Sequence, residues 1–130
     1  MHRITKRFAH AAFKCTLKKV ISHNPNRAAI ADGTLTATEV PFNTMKLGFE
    51  ALKLVESLIR KSNPNCSSDL GVGALHLKAC IEGSWLNVKI NLPGVKNEEK
   101  AAYFEKEGRS MYEASEKIAA ECFDKVLKAL

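Results

Sequence analysis

The stretch that decides the fold is SNPNCSSD, which occupies residues 62–69. Its first half, Asn63-Pro64-Asn65, breaks a preceding helix, because Pro and Asn favour turns over helix interiors. Ser67 or Ser68 can cap the N-terminus of a following helix, and the carboxylate of Asp69 would lie in its positive first turn. The stretch therefore predicts one helix before it and a new element after it.

Upstream of this break, apolar residues recur at helical spacing. They are Met45, Leu47, Phe49, Leu52, Leu54, Val55, Leu58 and Ile59. This pattern predicts a helix over residues 45–61, with Asn43 or Thr44 as its N-cap. Residues 28–40 are ambiguous, because their threonines favour strand whereas their first alanines favour helix. We expect Pro41 to close that stretch.

Downstream of the break, residues 70–92 fit two kinds of structure. Apolar residues alternate in two runs, Leu75, Leu77, Ala79 and Ile81, then Leu86, Val88, Ile90 and Leu92. Alternation is typical of half-buried strands, so a hairpin that turns at Gly83-Ser84 fits the pattern. A buried helix fits nearly as well, and the residues alone leave both open.

The last part of the chain has the pattern of one long helix. Pro93-Gly94 forms a turn, Asn97 caps the helix, and Glu98 and Glu99 lie in its positive first turn. An apolar stripe then follows at helical spacing: Met111, Ala114, Ile118, Cys122 and Val126. Gly108 interrupts the pattern without ending it, so we predict the longest helix of the chain here.

The net charge of +6 is concentrated at one end of the chain. Residues 1–31 carry basic side chains and no acid, and the remainder is close to neutral. The amphipathic basic pattern of residues 2–22 is typical of a mitochondrial presequence, of a surface helix, or of a segment unrelated to the rest. A break at Ser22-His23-Asn24-Pro25-Asn26 predicts a basic segment at 1–26 and a helical domain at 27–130. This confined charge argues against nucleic acid as a partner.

Composition places the chain among folded, water-soluble proteins. Its 130 residues fit one domain, with ordinary hydrophobic (45%) and charged (26%) fractions. No run approaches the roughly 20 apolar residues of a membrane span. The spacing of Cys15, Cys66, Cys80 and Cys122 is that of neither a zinc site nor a disulfide scaffold, so we expect reduced thiols, a cytoplasmic location and no metal site. A presequence at residues 1–26 would instead direct the chain to mitochondria.

Two groups of polar residues are candidate ligand contacts. One group, Asn65, Ser68 and Asp69, lies at the break, and the other, Asn87 and Asn91, lies within an apolar run. A buried amide is costly unless it is hydrogen-bonded, so two asparagines four positions apart indicate either a structural network or a ligand site. The residues alone leave these two interpretations open.

Three blocks of sequence resemble the cyclodeaminase and methenyltetrahydrofolate cyclohydrolase family, which includes the C-terminal domain of formiminotransferase-cyclodeaminase. They are ATEVPF at 37–42, NPNCSSDLGV at 63–72 with Ala74, and LNVKINL at 86–92. The resemblance extends from Ala29 to the C-terminus. It implies an all-α fold, an up-and-down helical bundle that dimerises, with helix over residues 29–38 and 69–91.

The resemblance also implies an activity in folate one-carbon metabolism. Family members bind tetrahydrofolate derivatives and either eliminate ammonia from the 5-formimino form, as a lyase, or add water to the 5,10-methenyl form, as a hydrolase. By position, Asp69 would be the catalytic residue that stabilises charge or orients the substrate, and Asn65, Ser68, Asn87 and Asn91 would bind the substrate. Such chemistry needs proton transfer beside an amidinium-like cation, so we expect no metal and no cofactor besides the tetrahydrofolate substrate.

The sequence departs from the family pattern at its start. The family opens with a Pro-Gly-Gly-Gly-Ser-like motif and an acidic Asp-Glu-Asp-like stretch, and residues 1–26 carry neither. We therefore expect a bundle that is incomplete at its N-terminus, with an exposed apolar surface that favours a homo-oligomer or a longer homologue as partner. The sequence leaves open a folate enzyme, cyclodeaminase or cyclohydrolase, a non-catalytic, truncated helical interaction subunit and, as the least favoured interpretation, a nucleic-acid binder that uses its basic segment.

Overall fold

A computed structural model describes residues 27–59, 61 and 63–130, with the backbone alone at residues 27, 28 and 64. Helix α1 spans Arg27–Ile59, helix α2 spans Ser67–Asn91 and helix α3 spans Glu98–Ala129. Short 3₁₀ turns at Pro64–Cys66 and Leu92–Gly94 flank α2. The described residues contain no strand, which confirms the predicted all-α class.

The chain divides into two units, Met1–Gly33 and Thr34–Leu130, and the packing described below belongs to the second. The basic helix predicted over residues 2–22 lies outside the described residues. The division into segments 1–26 and 27–130 therefore stays a prediction.

Helices α1 and α2 run antiparallel. Gly48 near the middle of α1 faces Ile81 of α2, and a Cβ atom on this glycine would lie 3.1 Å from Ile81 Cγ1. The end of α2 reaches the early part of α1, where Asn91 Nδ2 lies 3.0 Å from Ala37 O. Because Gly48 has no side chain, the two helices can approach closely where they cross.

Helix α3 returns antiparallel to α2, so the bundle is up-down-up. Trp85 of α2 faces Gly108 of α3, and Gly71 near the start of α2 faces Val126 near the end of α3. The middle of α1 meets the start of α3 through Phe42, whose ring contacts those of Tyr103 and Phe104. This arrangement confirms the predicted up-and-down helical bundle.

The core lies between the three helices and is built mainly from aliphatic and aromatic side chains. Its buried members are Phe42, Met45, Leu52, Ala74, Ile81, Trp85, Val88, Phe104, Ala119 and Cys122. The rings of Phe42 and Phe104 are tilted against each other with centroids 4.9 Å apart, an arrangement that aromatic pairs prefer over face-to-face stacking. Burial of these side chains is the main force that holds α1, α2 and α3 together.

Pro41 lies inside α1 instead of ending it. A helical proline has no N–H, so the carbonyl four residues earlier, that of Ala37, loses its usual donor. The side-chain amide of Asn91 supplies one. Residues 29–38 are helical as the resemblance implies, whereas the predicted stop at Pro41 and the predicted N-cap at Asn43 or Thr44 are wrong, because all three residues lie within the helix.

Residues 67–91 are one helix, as the resemblance implies, and not a hairpin. The predicted cap at Ser67 or Ser68 is wrong: α2 begins at Ser67, and its N-cap is Cys66, which makes no side-chain hydrogen bond to the helix. The 3₁₀ turn leads directly into α2 and replaces a side-chain cap. Asp69 lies in the first turn, as predicted.

The alternating pattern of residues 70–92 arises because α2 carries apolar residues on two opposite sides. Ile81 and Val88 face the core, whereas Leu75, Leu86 and Ile90 are exposed on the other side. Each side of the helix carries apolar residues at helical spacing. Over a short stretch the two sets together place an apolar residue at about every second position. A hairpin and a helix that is apolar on both sides therefore share the same local pattern.

Asn97 caps α3 as predicted, because its Oδ1 accepts a hydrogen bond from the backbone N–H of Lys100 at 2.9 Å. Gly108 has a packing role: a Cβ atom there would lie 2.9 Å from Trp85 Cε3 and closer still to Cζ3. Tyr112 stacks on the same indole, with ring centroids 6.5 Å apart. At 32 residues α3 is slightly shorter than α1 at 33, so it is not the longest helix as predicted.

Candidate functional site

The five predicted site residues lie at the two ends of α2. Asn65, Ser68 and Asp69 lie at its N-terminal end, and Asn87 and Asn91 lie in its last two turns. Asp69 and Asn87 are 18 positions apart, which is about 27 Å along a helix axis. One copy of the chain therefore does not bring the five residues into a single pocket.

Asp69 and Asn87 nevertheless face the same way. Their separation equals about five full helical turns, so their side chains leave α2 on the same side. Both are exposed, whereas Asn91, about 40° further round the helix, is half-buried. Asp69, Asn87 and Asn91 thus form a polar face along α2, with Asp69 at one end and the two asparagines at the other.

The N-terminal end presents a carboxylate, a hydroxyl and an amide to solvent. The backbone N–H of Asn65 donates to Oδ1 of Asn63 at 3.0 Å, which closes the turn ahead of α2. Asn65, Ser68 and Asp69 are all exposed. A carboxylate in this position can offset a developing cation on a bound group, while the hydroxyl and the amide can donate or accept hydrogen bonds.

A small apolar groove adjoins these polar groups between the start of α2 and the end of α3. Ser68, Val72 and Phe123 are among its lining residues, and its volume is about 170 Å³. Gly71 lies at its base against Val126, where a Cβ atom would be 3.1 Å from Val126 Cγ1. The groove is smaller than the roughly 300–1,000 Å³ of usual small-molecule sites, so it can take part of a ligand and not the whole of one.

At the other end of α2, Asn91 takes part in a structural network. Its Nδ2 donates to Ala37 O and to Asn87 O, at 3.0 Å each. Asn91 thus has the structural role that was one of the two interpretations of its amide. Its role in binding stays a prediction. The side chain of Asn87 is exposed and points away from the core, which suits a ligand contact better.

Sequence reasoning missed the polar cluster over Trp85. Lys89 Nζ lies 5.4 Å from a ring centroid of Trp85 and 2.6 Å from Glu105 Oε2. The hydrogen bond from Lys89 holds the pKa of Glu105 below its usual value, and Arg109 adds to the effect. The ion pair joins α2 to α3, and no local spacing signals it because the partners lie on different helices.

Within residues 27–59, 61 and 63–130, no three His, Cys, Asp or Glu side chains are grouped closely enough to hold a metal ion. His76, on the exposed side of α2, has its Nδ1 2.9 Å from Val72 O of its own helix. No helix in the described part of the chain has the length and apolar character that crossing a membrane requires.

Comparison with known proteins identifies relatives of one kind. The family model of formiminotransferase-cyclodeaminase matches residues 8–110, a range that contains all five predicted site residues and begins inside the basic segment. A methenyltetrahydrofolate cyclohydrolase from Methylorubrum extorquens is 35% identical over 68 residues, which is 52% of this chain and 33% of the relative. The match to that relative thus spans about a third of the relative's length.

Two observations of different kinds agree on the family. The helical, up-and-down architecture fits the fold that the three sequence blocks imply. The family model covers well over half of the chain. The chain therefore belongs to the formiminotransferase-cyclodeaminase family.

Proposed function

We propose that this chain binds a tetrahydrofolate derivative and acts in one-carbon chemistry of the cyclodeaminase or cyclohydrolase type. The observation that carries the proposal is the family match, whose range of residues 8–110 includes both ends of the polar face of α2. The cyclohydrolase relative supports the hydrolase branch in particular. The tetrahydrofolate derivative is the substrate, and the proposal involves neither a metal ion nor a further cofactor.

The proposed chemistry assigns separate tasks to the two ends of α2. In the methenyl and formimino forms of the substrate, positive charge is delocalised over the one-carbon unit and its nitrogens. The carboxylate of Asp69 would offset that charge and keep the reacting carbon in place. Asn87 and Asn91 offer amides that can bond to polar edges of the folate, and Ser68 and Asn65 can do so beside Asp69.

Calorimetric titration with 5,10-methenyltetrahydrofolate tests the proposal. We expect micromolar binding by the full chain, weakened about tenfold or more by Asp69→Asn, which removes the charge and keeps the shape. Asp124→Asn is the matched control, because Asp124 is an exposed helical carboxylate on α3 that pairs with Lys128. A folded wild-type chain without affinity for the ligand would overturn the proposal, as would equal effects of the two substitutions.

A second candidate is a helical interaction subunit without catalysis. It is favoured by the large apolar side chains that α2 exposes, together with the wide separation of Asp69 from Asn87. A homo-oligomer, or a complex with a longer family member, would then be the working form. A folded chain that associates in this way and binds no folate would support this candidate. The compartment, cytoplasm or mitochondrion, stays a prediction.

A further inference from the structure

The side-chain amide of Asn91 has one fixed orientation. Its terminal amide nitrogen, Nδ2, lies 3.0 Å from Ala37 O and 3.0 Å from Asn87 O. A backbone carbonyl can only accept a hydrogen bond, so the atom that contacts both carbonyls must be the nitrogen. A flipped amide would bring its oxygen against two other oxygens. Both N–H groups of the Asn91 side chain are therefore used within the bundle.

The oxygen of the same amide is left for another partner. None of the residues that the structure describes donates a hydrogen bond to Asn91 Oδ1. The side chain is only half-buried, so a ligand can approach this oxygen. An asparagine ordinarily offers a ligand both a donor and an acceptor. Asn91 offers a ligand an acceptor alone.

Pro41 is the reason that Ala37 O takes a side chain as its donor. In an uninterrupted helix this carbonyl accepts from the N–H of residue 41, and proline has none. With an N–H at position 41, a backbone donor would occupy Ala37 O, and the bond to Asn87 O would be the main restraint on the amide. The missing N–H of Pro41 therefore helps to hold Asn91 in its orientation.

The early part of α1, which carries Ala37, is itself held by two contacts. A Cβ atom on Gly94 would lie 2.8 Å from Thr34 Cγ2, so the turn after α2 fits closely against α1. Lys100 of α3 forms an ion pair with Glu39 of α1, with Nζ and Oε1 3.1 Å apart. Thr34 and Glu39 are within one helical turn of Ala37. The carbonyl that orients Asn91 is therefore fixed relative to both α2 and α3.

A fixed acceptor selects among the polar groups of a folate. The glutamate carboxylates and the 4-oxo group of the pterin are acceptors, so they cannot bond to Asn91 Oδ1. The 2-amino group of the pterin carries two N–H groups and projects from the ring edge, so it suits this oxygen best. Asn87 lies one turn earlier, about 6 Å along the helix, with an exposed amide that can donate or accept. The two amides together can bond to a ring edge that carries a donor beside an acceptor.

We propose that Asn91 Oδ1 accepts a hydrogen bond from the 2-amino group of the pterin, and that Pro41 and Ala37 position the amide for this contact. The proposal rests on the proposed function, because it concerns the same ligand. Asn91 is then a specificity-determining residue, and Pro41 is a positioning residue that acts through it. Removing the 2-amino group from the ligand, or the amide from the protein, abolishes the same hydrogen bond.

Calorimetric titration with two ligands tests the contact. One ligand is 5,10-methenyltetrahydrofolate, and the other is its analogue with a methyl group in place of the 2-amino group. We expect the full chain to bind the first about fivefold more tightly, because the analogue cannot donate to Asn91. Asn91→Ala should bind both ligands with nearly equal affinity. Asn97→Ala is the matched control, since this side chain also bonds to a backbone group, and it should keep the preference.

Pro41→Ala separates a positioning role from a purely structural one. The N–H of residue 41 can then bond to Ala37 O, so the unfolding free energy should be unchanged or higher. The preference for the ligand with the 2-amino group should nevertheless fall to about twofold or less, because the amide of Asn91 is less restrained. A residue with a structural role alone would change stability and leave the preference intact. Circular dichroism establishes that each variant is folded.

The outcomes distinguish the inference from the function on which it rests. A folded wild-type chain that binds neither ligand overturns the folate function. Equal affinities of the wild type for the two ligands, or a preference that survives Asn91→Ala, overturn the contact while the folate function stands. A folded Pro41→Ala chain that keeps the full preference overturns the positioning role of Pro41.

Discussion

The side-chain amide of Asn91 donates a hydrogen bond to the backbone carbonyl of Ala37, with Nδ2 and O 3.0 Å apart. Ala37 O is the acceptor that the N–H of residue 41 would normally use, and residue 41 is a proline. The amide thus replaces the missing backbone donor and ties the end of α2 to the early part of α1. The side chain of Asn91 therefore compensates for the hydrogen bond that Pro41 cannot donate, although the two residues belong to different helices.

Asn91→Ala should lower the free energy of unfolding by about 0.5–1 kcal/mol, because it removes this hydrogen bond from a carbonyl that water can then reach. In a Pro41→Ala background the backbone N–H of residue 41 can bond to that carbonyl, so the same substitution should cost clearly less. Urea unfolding, followed by circular dichroism, gives the four free energies of this double-mutant cycle. Equal costs of Asn91→Ala in both backgrounds would refute the pairing of Asn91 with Pro41.

Gly108→Ala should destabilise the bundle by about 1–2 kcal/mol, although alanine is the better helix former. The new methyl group would lie 2.9 Å from Trp85 Cε3, so the indole or α3 must shift. Gly73→Ala is the control, because nothing lies within 4 Å of its Cβ position, and it should be neutral or stabilising by up to about 1 kcal/mol. Thermal unfolding and the fluorescence of Trp85 measure both effects, and a Gly108→Ala protein as stable as the Gly73→Ala protein would contradict the packing.

The ion pair between Lys89 and Glu105 should give stability a pH dependence at acid pH. The pKa of Glu105 is lowered in the folded protein from its ordinary 4.5, chiefly by the hydrogen bond from Lys89. The contribution is therefore fully present above pH 4.5 and is lost as pH falls through the lower folded pKa. Since the Glu105 side chain is 34% exposed, solvent screening limits the effect to about 0.5 kcal/mol.

The measurement is the unfolding free energy between pH 6 and pH 3 for the wild type and Glu105→Gln. The wild type should lose more stability over this range, and the two curves should converge at the acid end. Glu107→Gln is the control, because Glu107 forms no ion pair with a described residue. Parallel curves for wild type and Glu105→Gln would show that the pair contributes nothing.

The three described cysteines should differ in reactivity toward a thiol reagent at pH 8. Cys66 and Cys80 are exposed and Cys122 is buried, and burial raises the pKa of the Cys122 thiol. In a Cys15→Ser chain, two thiols should react quickly and Cys122 at least about tenfold more slowly, until denaturant is added. Adding Cys122→Ser identifies the slow phase, and three equal rates would be inconsistent with this core.

Several features followed from local sequence because their causes are local. Asn97 caps α3 through a hydrogen bond to a backbone group three residues away, and Asp69 lies in the first turn of α2 for an equally local electrostatic reason. The break at residues 62–69 likewise needs only Asn and Pro. The resemblance of three blocks then fixed the fold class, which local periodicity left open over residues 70–92.

Other features could not be predicted from neighbouring residues. Gly108 interrupts an apolar stripe in the sequence, and its reason is an indole on another helix. Ser67 and Ser68 fit a capping pattern, yet the chain enters α2 through a 3₁₀ turn that ends at Cys66. Asp69, Asn87 and Asn91 share one face of α2, and the distance between them could be derived only once residues 67–91 were known to form one helix.

The sequence by itself determined the position of the main break, the capped start of α3 and the family. Each of these depends on residues that are close together in the sequence. Tertiary structure alone decided that α1 continues through Pro41 and which of the two apolar sides of α2 faces the core. The physical reason is that the compensating partners are remote: the donor for Ala37 O comes from Asn91, 54 positions away, and only the packed bundle brings them together.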